Sequence, residues 1–151
     1  MIAQIKGKLV EKHPTHVIID CNGLGYMVHI SLHTFGQLGA DESIKLYTHL
    51  QVKEDSHTLF GFFQPIERTV FRLLISISGI GASIARTMLS SMSPQEIQHA
   101  ILSENLAAIK GVKGIDLKTA QRVLIELKEK VQKIEGNDEI PVLQSNRTKE
   151  E

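Results

Sequence analysis

The residue types in this chain that could do chemistry fall in three places. Glu54 and Asp55 are adjacent acids on the turn Lys53-Glu54-Asp55-Ser56, between two β-branched stretches. Paired carboxylates can hold Mg²⁺, but no third acid lies nearby in sequence and no general base accompanies them. A solvated hairpin tip is the ordinary reading of such a pair. The second place is a repeated segment, Ser78-Gly79-Ile80-Gly81-Ala82-Ser83-Ile84-Ala85 and Lys113-Gly114-Ile115-Asp116-Leu117-Lys118-Thr119-Ala120, whose leading glycines lie 35 residues apart. The third is a set of seven histidines. His29 and His33 straddle a strand end, His13 and His16 flank a turn, and no Cys/His spacing fits zinc. No Walker-type loop occurs, so ATP hydrolysis has no seat here.

The repeat carries the most physical content. Each copy has Gly-Ile after a predicted helix, then a residue that can open a new helix, then alanine six positions past the glycine. Glycine permits a sharp reversal and a close backbone approach, and isoleucine pins the turn to a core. The helix that follows presents unpaired N–H groups and the positive end of its dipole, which suits a phosphate. Two such ends, one repeat apart, could hold two points on a nucleic-acid backbone without reading a base. The pattern resembles the helix-hairpin-helix motif of DNA-binding proteins that ignore sequence. Ordinary helical corners with glycine C-caps are the alternative, and the duplication with Lys110, Lys113, Lys118 and Arg122 beside the second copy favours DNA.

The elements that must position these residues divide into two halves. From Met1 to about Phe63 the period is two: Ile2 to Val10, Thr15 to Cys21, and, after an Asn22-Gly23 turn, Leu24 to Ile30. A short turn or helix ends near Gly36–Gly39, and Ser43 to Val52 pairs with His57 to Phe62. Five or six short antiparallel strands in this length predict a small closed barrel. From Ile66 the period is helical, with Val70, Phe71, Leu74 and Ile77 on one face. Ser93-Pro94-Gln95-Glu96 is a capping box, and Ser103 can cap a further short helix. The longest helix begins near Asp116, burying Ala120, Val123, Leu124, Leu127 and Val131 and turning Lys118, Arg122 and Lys130 outward. The fold class is thus α+β: a small closed β-barrel over 1–63 and an all-α domain carrying the two hairpins over 64–135. Residues 136–151 lose periodicity and read as linker.

Charge follows the same division. Residues 1–63 carry 5 Lys/Arg against 6 Asp/Glu, residues 64–135 carry 10 against 7, and the tail carries 2 against 4, so the cationic excess lies with the hairpins. It is modest, and affinity for a polyanion would depend on backbone N–H groups and on repetition of the subunit. Cys21 stands alone, which excludes an internal disulfide and suits a reducing cytoplasm. No long apolar run or signal peptide is visible, so membrane partners are not expected.

Several stretches together resemble one family. They are Met1-Ile2, Gly23-Leu24-Gly25-Tyr26-Met27-Val28-His29, the hairpin Thr48 to Asp55 with Leu59-Phe60-Gly61-Phe62, Glu67-Arg68-Thr69-Val70-Phe71, and the paired hairpins. In that order, over residues 1 to about 134, they resemble the RuvA family of Holliday junction branch-migration subunits. The resemblance implies an oligonucleotide-binding-type β-barrel over 1–63 followed by a tandem helix-hairpin-helix domain over 64–135, in a non-catalytic DNA-binding subunit without cofactor or metal, acting in recombination and repair. It implies a homotetramer, with an octamer as the alternative, whose fourfold symmetry suits a four-way junction. Partners are junction DNA, the hexameric ATPase RuvB that supplies the motor, and the RuvC resolvase. DNA contacts would fall on Gly79, Gly81, Ser83, Gly114, Asp116, Lys118 and Arg122, with an Arg122–Glu126 helical pair as the rival role for Arg122. Glu54 and Asp55 would form the acidic pin at the crossover.

Three departures stand against the resemblance. Asp116 occupies a place where the family has glycine and sets a charge against the expected phosphate, and Ser83 occupies a place often taken by lysine. The family's small third helical domain, which contacts RuvB, has no counterpart in these residues. Other classes weighed are a metal-dependent nuclease at Glu54-Asp55, a helix-hairpin-helix glycosylase, and a general structure-selective or single-strand DNA-binding module without a motor. The glycosylase lacks room for a base pocket, and the single-strand binder lacks exposed aromatics on its strands.

Overall fold

The computed structural model describes residues 1–40 and 42–137. All of the expected linker beyond Asn137 lies outside them. Five strands close a barrel: β1 (Gln4–Lys12), β2 (His16–Cys21), β3 (Leu24–His29), β4 (Ser43–Lys53) and β5 (Ser56–Phe62), with helix α1 (Leu32–Gln37) between β3 and β4. Their order around the barrel is β1-β2-β3-β5-β4. All neighbours are antiparallel except β3 and β5, which meet in parallel at His29 and Phe60. Period-two alternation fills the barrel: Ile5, Val17, Ile19, Val28, Ile44 and Leu46 point inward and are buried. Asn22 and Gly23 both take positive φ, 55° and 93°, as a two-residue hairpin of this twist requires. The Gly23 N–H donates to the Asp20 carboxylate at 2.7 Å. β1 is displaced two residues from its expected span, and its register slips between Leu9 and Glu11 because a bulge there bends it between β2 and β4.

Five helices follow: α2 (Pro65–Ile75), α3 (Ala82–Ser91), α4 (Pro94–Leu102), α5 (Leu106–Lys110) and α6 (Leu117–Asn137). Pro65 opens α2, and Ser93 and Glu96 close the capping box at the start of α4. Ser103 does not cap a helix start. It is the C-cap of α4, its hydroxyl donating to the His99 carbonyl, and Asn105 caps α5 by accepting from the Ala108 N–H. The chain turns back between the two through Glu104 at φ 55°, which moves the start of α5 two residues on. On α6, Ala120, Val123, Leu127 and Val131 are buried as expected, whereas Leu124 is half-buried at the edge of that face. The helix also continues through Asn137, past the expected loss of periodicity after Ile134.

The barrel and the helices share a seam. Phe60 and Phe62 on β5 turn outward into the helical core, where the Phe71 ring lies 5.2 Å and 5.0 Å from them. Burying one such ring contributes about 1.5–3 kcal/mol. Arg68 reaches from α2 to the carbonyls of Ala3 and Thr48, and Arg86 from α3 to that of Thr15. At the closed end of the seam Glu67 is fully buried and accepts hydrogen bonds from the Ser31 and Thr34 hydroxyls. Ser31 is itself the N-cap of α1, and Thr34 also accepts the Phe63 N–H. One carboxylate thus joins α1, the end of β5 and α2.

Burial raises the Glu67 carboxyl above its ordinary value of 4.5, against the pull of its two hydroxyl donors and of His33. Between those two values the folded chain holds a proton that the unfolded chain has released, so stability falls as pH rises through that window. Glu67→Gln removes this titration. Its melting temperature relative to the parent should climb as pH goes from about 4 to 7, read by circular dichroism. A constant difference would show that the carboxyl titrates alike in both states.

Candidate nucleic-acid interface

The repeated segments adopt one backbone twice. Gly79 and Gly114 take φ of 102° and 95°, conformations that side chains rarely enter. The Ile80 N–H donates to the Ile77 carbonyl at 3.0 Å, and the Ile115 N–H to the Val112 carbonyl at 3.2 Å. Each helix then starts alike, Ala85 N–H to Gly81 carbonyl and Ala120 N–H to Asp116 carbonyl, both 3.0 Å. Ile80 and Ile115 are buried, as pinning residues must be. The copies also pack on each other reciprocally. A Cβ on Gly79 would lie 3.1 Å from the Thr119 hydroxyl, and one on Gly114 would lie 3.6 Å from Ile84. Thr119 and Ile84 occupy the same position in the two copies, five residues past the glycine.

Arg122 departs from its expected outward role. Its Nη1 donates to the Ser78 carbonyl at 2.8 Å, and its Nε lies 3.9 Å from the Glu126 carboxylate. The guanidinium reaches across to the first turn because that carbonyl is left free by the reversal at Gly79. Arg122 is therefore a tie between hairpins as well as half of the helical pair weighed above. Lys118, Lys113 and Lys110 remain exposed around the second turn.

The two helix starts differ in what they offer an anion. α3 begins at Gly81 with no side-chain cap, and the space that a Cβ on Gly81 would enter is open for 4 Å. Its φ of −92° suits any residue, so the protein's own packing does not demand glycine there. At α6 the Asp116 carboxylate accepts the Thr119 N–H at 2.8 Å and occupies the anion's place itself. That backbone hydrogen bond, then the Thr119 hydroxyl, holds the Asp116 carboxyl below its ordinary value, with Arg122 adding a smaller pull. The first hairpin is open to a phosphate, and the second presents lysines around a capped helix. Ser83 is exposed on the first turn of α3.

Glu54 and Asp55 form the exposed two-residue tip of the β4–β5 hairpin, beyond the Lys53–Ser56 pair. The stem of that hairpin faces α3 across a cleft of about 540 Å³, lined by Gln51, Lys53 and Thr58 on one side and Gly81, Ser83 and Arg86 on the other. The cleft thus brings Lys53, the residue before the acidic tip, and the first hairpin to one opening. His29 and Arg86 also line this cleft; His29 drew notice in the sequence only as a candidate metal ligand, and Arg86 not at all. Their signal is tertiary: Arg86 reaches the barrel only because α3 packs on α1, where the Leu32 N–H donates to the Ser90 hydroxyl. Among the described residues no group of three His, Cys, Asp or Glu side chains could hold a metal ion, and no helix is long and apolar enough to cross a membrane.

Residues 1–61 match the family described as RuvA N terminal domain, and residues 71–129 match the family described as SAM-like helix-hairpin-helix tandem. The chain is 59% identical over 151 residues to a relative from Christiangramia forsetii, covering 100% of this chain and 78% of the relative. A relative from Flavobacterium psychrophilum is 58% identical with the same coverage. One from Bacteroides fragilis is 50% identical over 131 residues, 87% of this chain and 65% of the relative. All three bear the name Holliday junction branch migration complex subunit RuvA. With a barrel closed in this order, a duplicated hairpin on the helical side, and that degree of identity over its whole length, the chain belongs to the RuvA family of Holliday junction branch migration complex subunits.

Proposed function

We propose that this chain binds four-way DNA junctions and holds them open for branch migration in recombination and repair. It has no catalytic role of its own: a partner ATPase of the RuvB type supplies the motor, and a RuvC-type resolvase shares the junction. The working unit is a homotetramer, or an octamer of two such rings, with one subunit to each arm. The backbones at Gly79, Gly81, Gly114 and Asp116, with the side chains of Ser83 and Lys118, contact phosphates, and Arg122 fixes the spacing between the two turns. The observation that carries the reading is the uncapped start of α3, with open space before Gly81, set by reciprocal packing beside a second turn of the same form.

Phosphate contacts suit a protein along which DNA must slide, because they are identical at every step, whereas base contacts would favour particular registers. Glu54 and Asp55 do the opposite work. A carboxylate about 4 Å from a phosphate is repelled by roughly 1–4 kcal/mol across the range from water to a protein surface. Four copies at one crossover disfavour continuous duplex there and leave room for strands that part.

Swapping the two helix starts tests the hairpins. Gly81→Asp copies the capped start of α6 into α3, so stability should hold or rise slightly while junction affinity falls about tenfold, or 1.4 kcal/mol. Asp116→Gly should do the reverse, tightening binding at a cost of a few tenths of a kcal/mol in stability. Urea unfolding and gel shifts at fixed salt read both. If affinity ignores both exchanges, the hairpins do not hold phosphates. Gly79→Ala is a poor probe, since its positive φ and the nearby Thr119 would cost about 1 kcal/mol or more of fold stability.

Neutralising the tip tests the acids. Glu54→Gln with Asp55→Asn should raise affinity for linear duplex and shrink the preference for junctions. Unchanged duplex affinity would reduce the tip to a solvated turn, and loss of a Mg²⁺-dependent cleavage would assign it to a nuclease. Lys118→Ala should weaken junctions of every sequence alike and lower the salt slope by about one.

A further inference from the structure

The two hairpins are unequal in cations. Lys113 and Lys118 flank the second turn, but their counterparts in the first copy are Ser78 and Ser83, and between Ser78 and Ser91 the one cation is Arg86. Arg86 lies on α3 one turn beyond Ser83, so the two share a helix face. That face borders the cleft of about 540 Å³ between α3 and the β4–β5 stem. Arg86 Nη1 donates to the Thr15 carbonyl at 3.0 Å and lies 3.5 Å from His29 Nδ1, which anchors the guanidinium. Its Nε and Nη2 have no hydrogen-bond partner among the described residues.

His29 sits beside it, its ring 5.9 Å from Phe60 of β5 and 6.3 Å from His16 of β2. The charged groups around it are Arg86 from α3, His16 from β2 and, across the cleft, Lys53 from β4; no carboxylate lines the cleft. Three groups that are or can become cationic thus border one opening with no internal counter-ion. The same opening reaches Lys53, the residue before the acidic tip, on one side and Gly81, at the start of α3, on the other.

We propose that this cleft is a phosphate subsite for the nucleic-acid strand that runs from the acidic tip to the first hairpin, with Arg86 and His29 as its contacts. The proposal rests on the junction-binding reading and adds to it a barrel-side contact separate from the two turns. Arg86 is suited to the task because one nitrogen is already tied to the barrel, leaving the others pre-oriented toward the opening. His29 adds a dependence on pH. Burial first, then Arg86 and His16, hold its imidazole below the ordinary value of 6.5 in the free chain. A phosphate against it favours the charged form, so binding takes up a proton and tightens as pH falls.

The test uses the full chain, a labelled four-way junction, and pH from about 5.5 to 8 with salt varied at each value. Arg86→Gln should lower junction affinity about tenfold and reduce the salt slope by about one. Arg86→Lys, which keeps the charge without the fork, should retain the slope and most of the affinity. His29→Gln should abolish the tightening below about pH 6.5 with little change at pH 8. Equal losses in the Gln and Lys variants, in step with lower melting temperatures, would make Arg86 a strut between α3 and the barrel and overturn the proposal. Full affinity in Arg86→Gln would overturn it as well, and if Gly81→Asp still weakens binding there, the wider reading stands. A parent chain that does not bind junctions would remove both.

Discussion

Reciprocal contact between two glycine turns is the constraint on which the functional half of this protein depends. Gly79 and Gly114 each hold a positive φ, and each faces the residue five places past the other's glycine. A side chain on Gly79 would meet Thr119 at 3.1 Å, so the turn can close on α6 only while that position stays bare. The result is two helix starts held by backbone geometry and by Arg122, whose guanidinium bonds the carbonyl just before the first glycine. Spacing between the two turns is then a property of the core, with Ile80 and Ile115 buried beneath them.

Placing the acids against those contacts is the work of the seam. β5 carries both the acidic tip at its start and, at its end, Phe60 and Phe62 that seat Phe71 of α2. One strand therefore couples the acidic tip to the helical half of the chain. Glu67 closes the other end of the seam, where a carboxylate without an ionic partner accepts two hydroxyl hydrogen bonds. Such a group stabilises poorly compared with an apolar contact of the same size, and removal of its donors would leave it a buried, unsatisfied charge. What it contributes is direction: the hydroxyls of α1 can satisfy it in one relative placement of barrel and helices.

Much of this was legible in the residues. Asn22-Gly23 announced its turn because a two-residue hairpin of this twist needs positive φ twice, and few other pairs supply it. The duplicated Gly-Ile segments announced both turns, since glycine and the buried isoleucine are each required by local geometry. What stayed hidden was tertiary. Arg122 read as an outward cation on helical spacing, and nothing local says that a carbonyl of the other repeat lies within its reach. Ser103 read as a helix start because Ser is a good N-cap, while Asn105, two residues on, competes by the same chemistry and wins once Glu104 turns back. Glu67 and Arg86 were opaque for a related reason: a charged residue on a helix looks solvated until the partner surface is known.

Charge distribution explains how a chain of zero formal net charge can address a polyanion. Total charge governs long-range steering, whereas contact energy depends on which groups line the surface within a Debye length, about 8–10 Å at ordinary salt. Here several acids are committed internally: Glu67 to two hydroxyls, Asp116 to a backbone N–H, Glu104 to Lys128 and Glu96 to the Ser93 N–H. Glu54 and Asp55 stand exposed at the tip, with no such internal partner among the described residues. The lysines of the second turn have no such internal commitments among the described residues, so exposed cations gather beside that turn although the chain as a whole is neutral. Weak long-range attraction with firm short-range contact suits a protein that must hold DNA without arresting it.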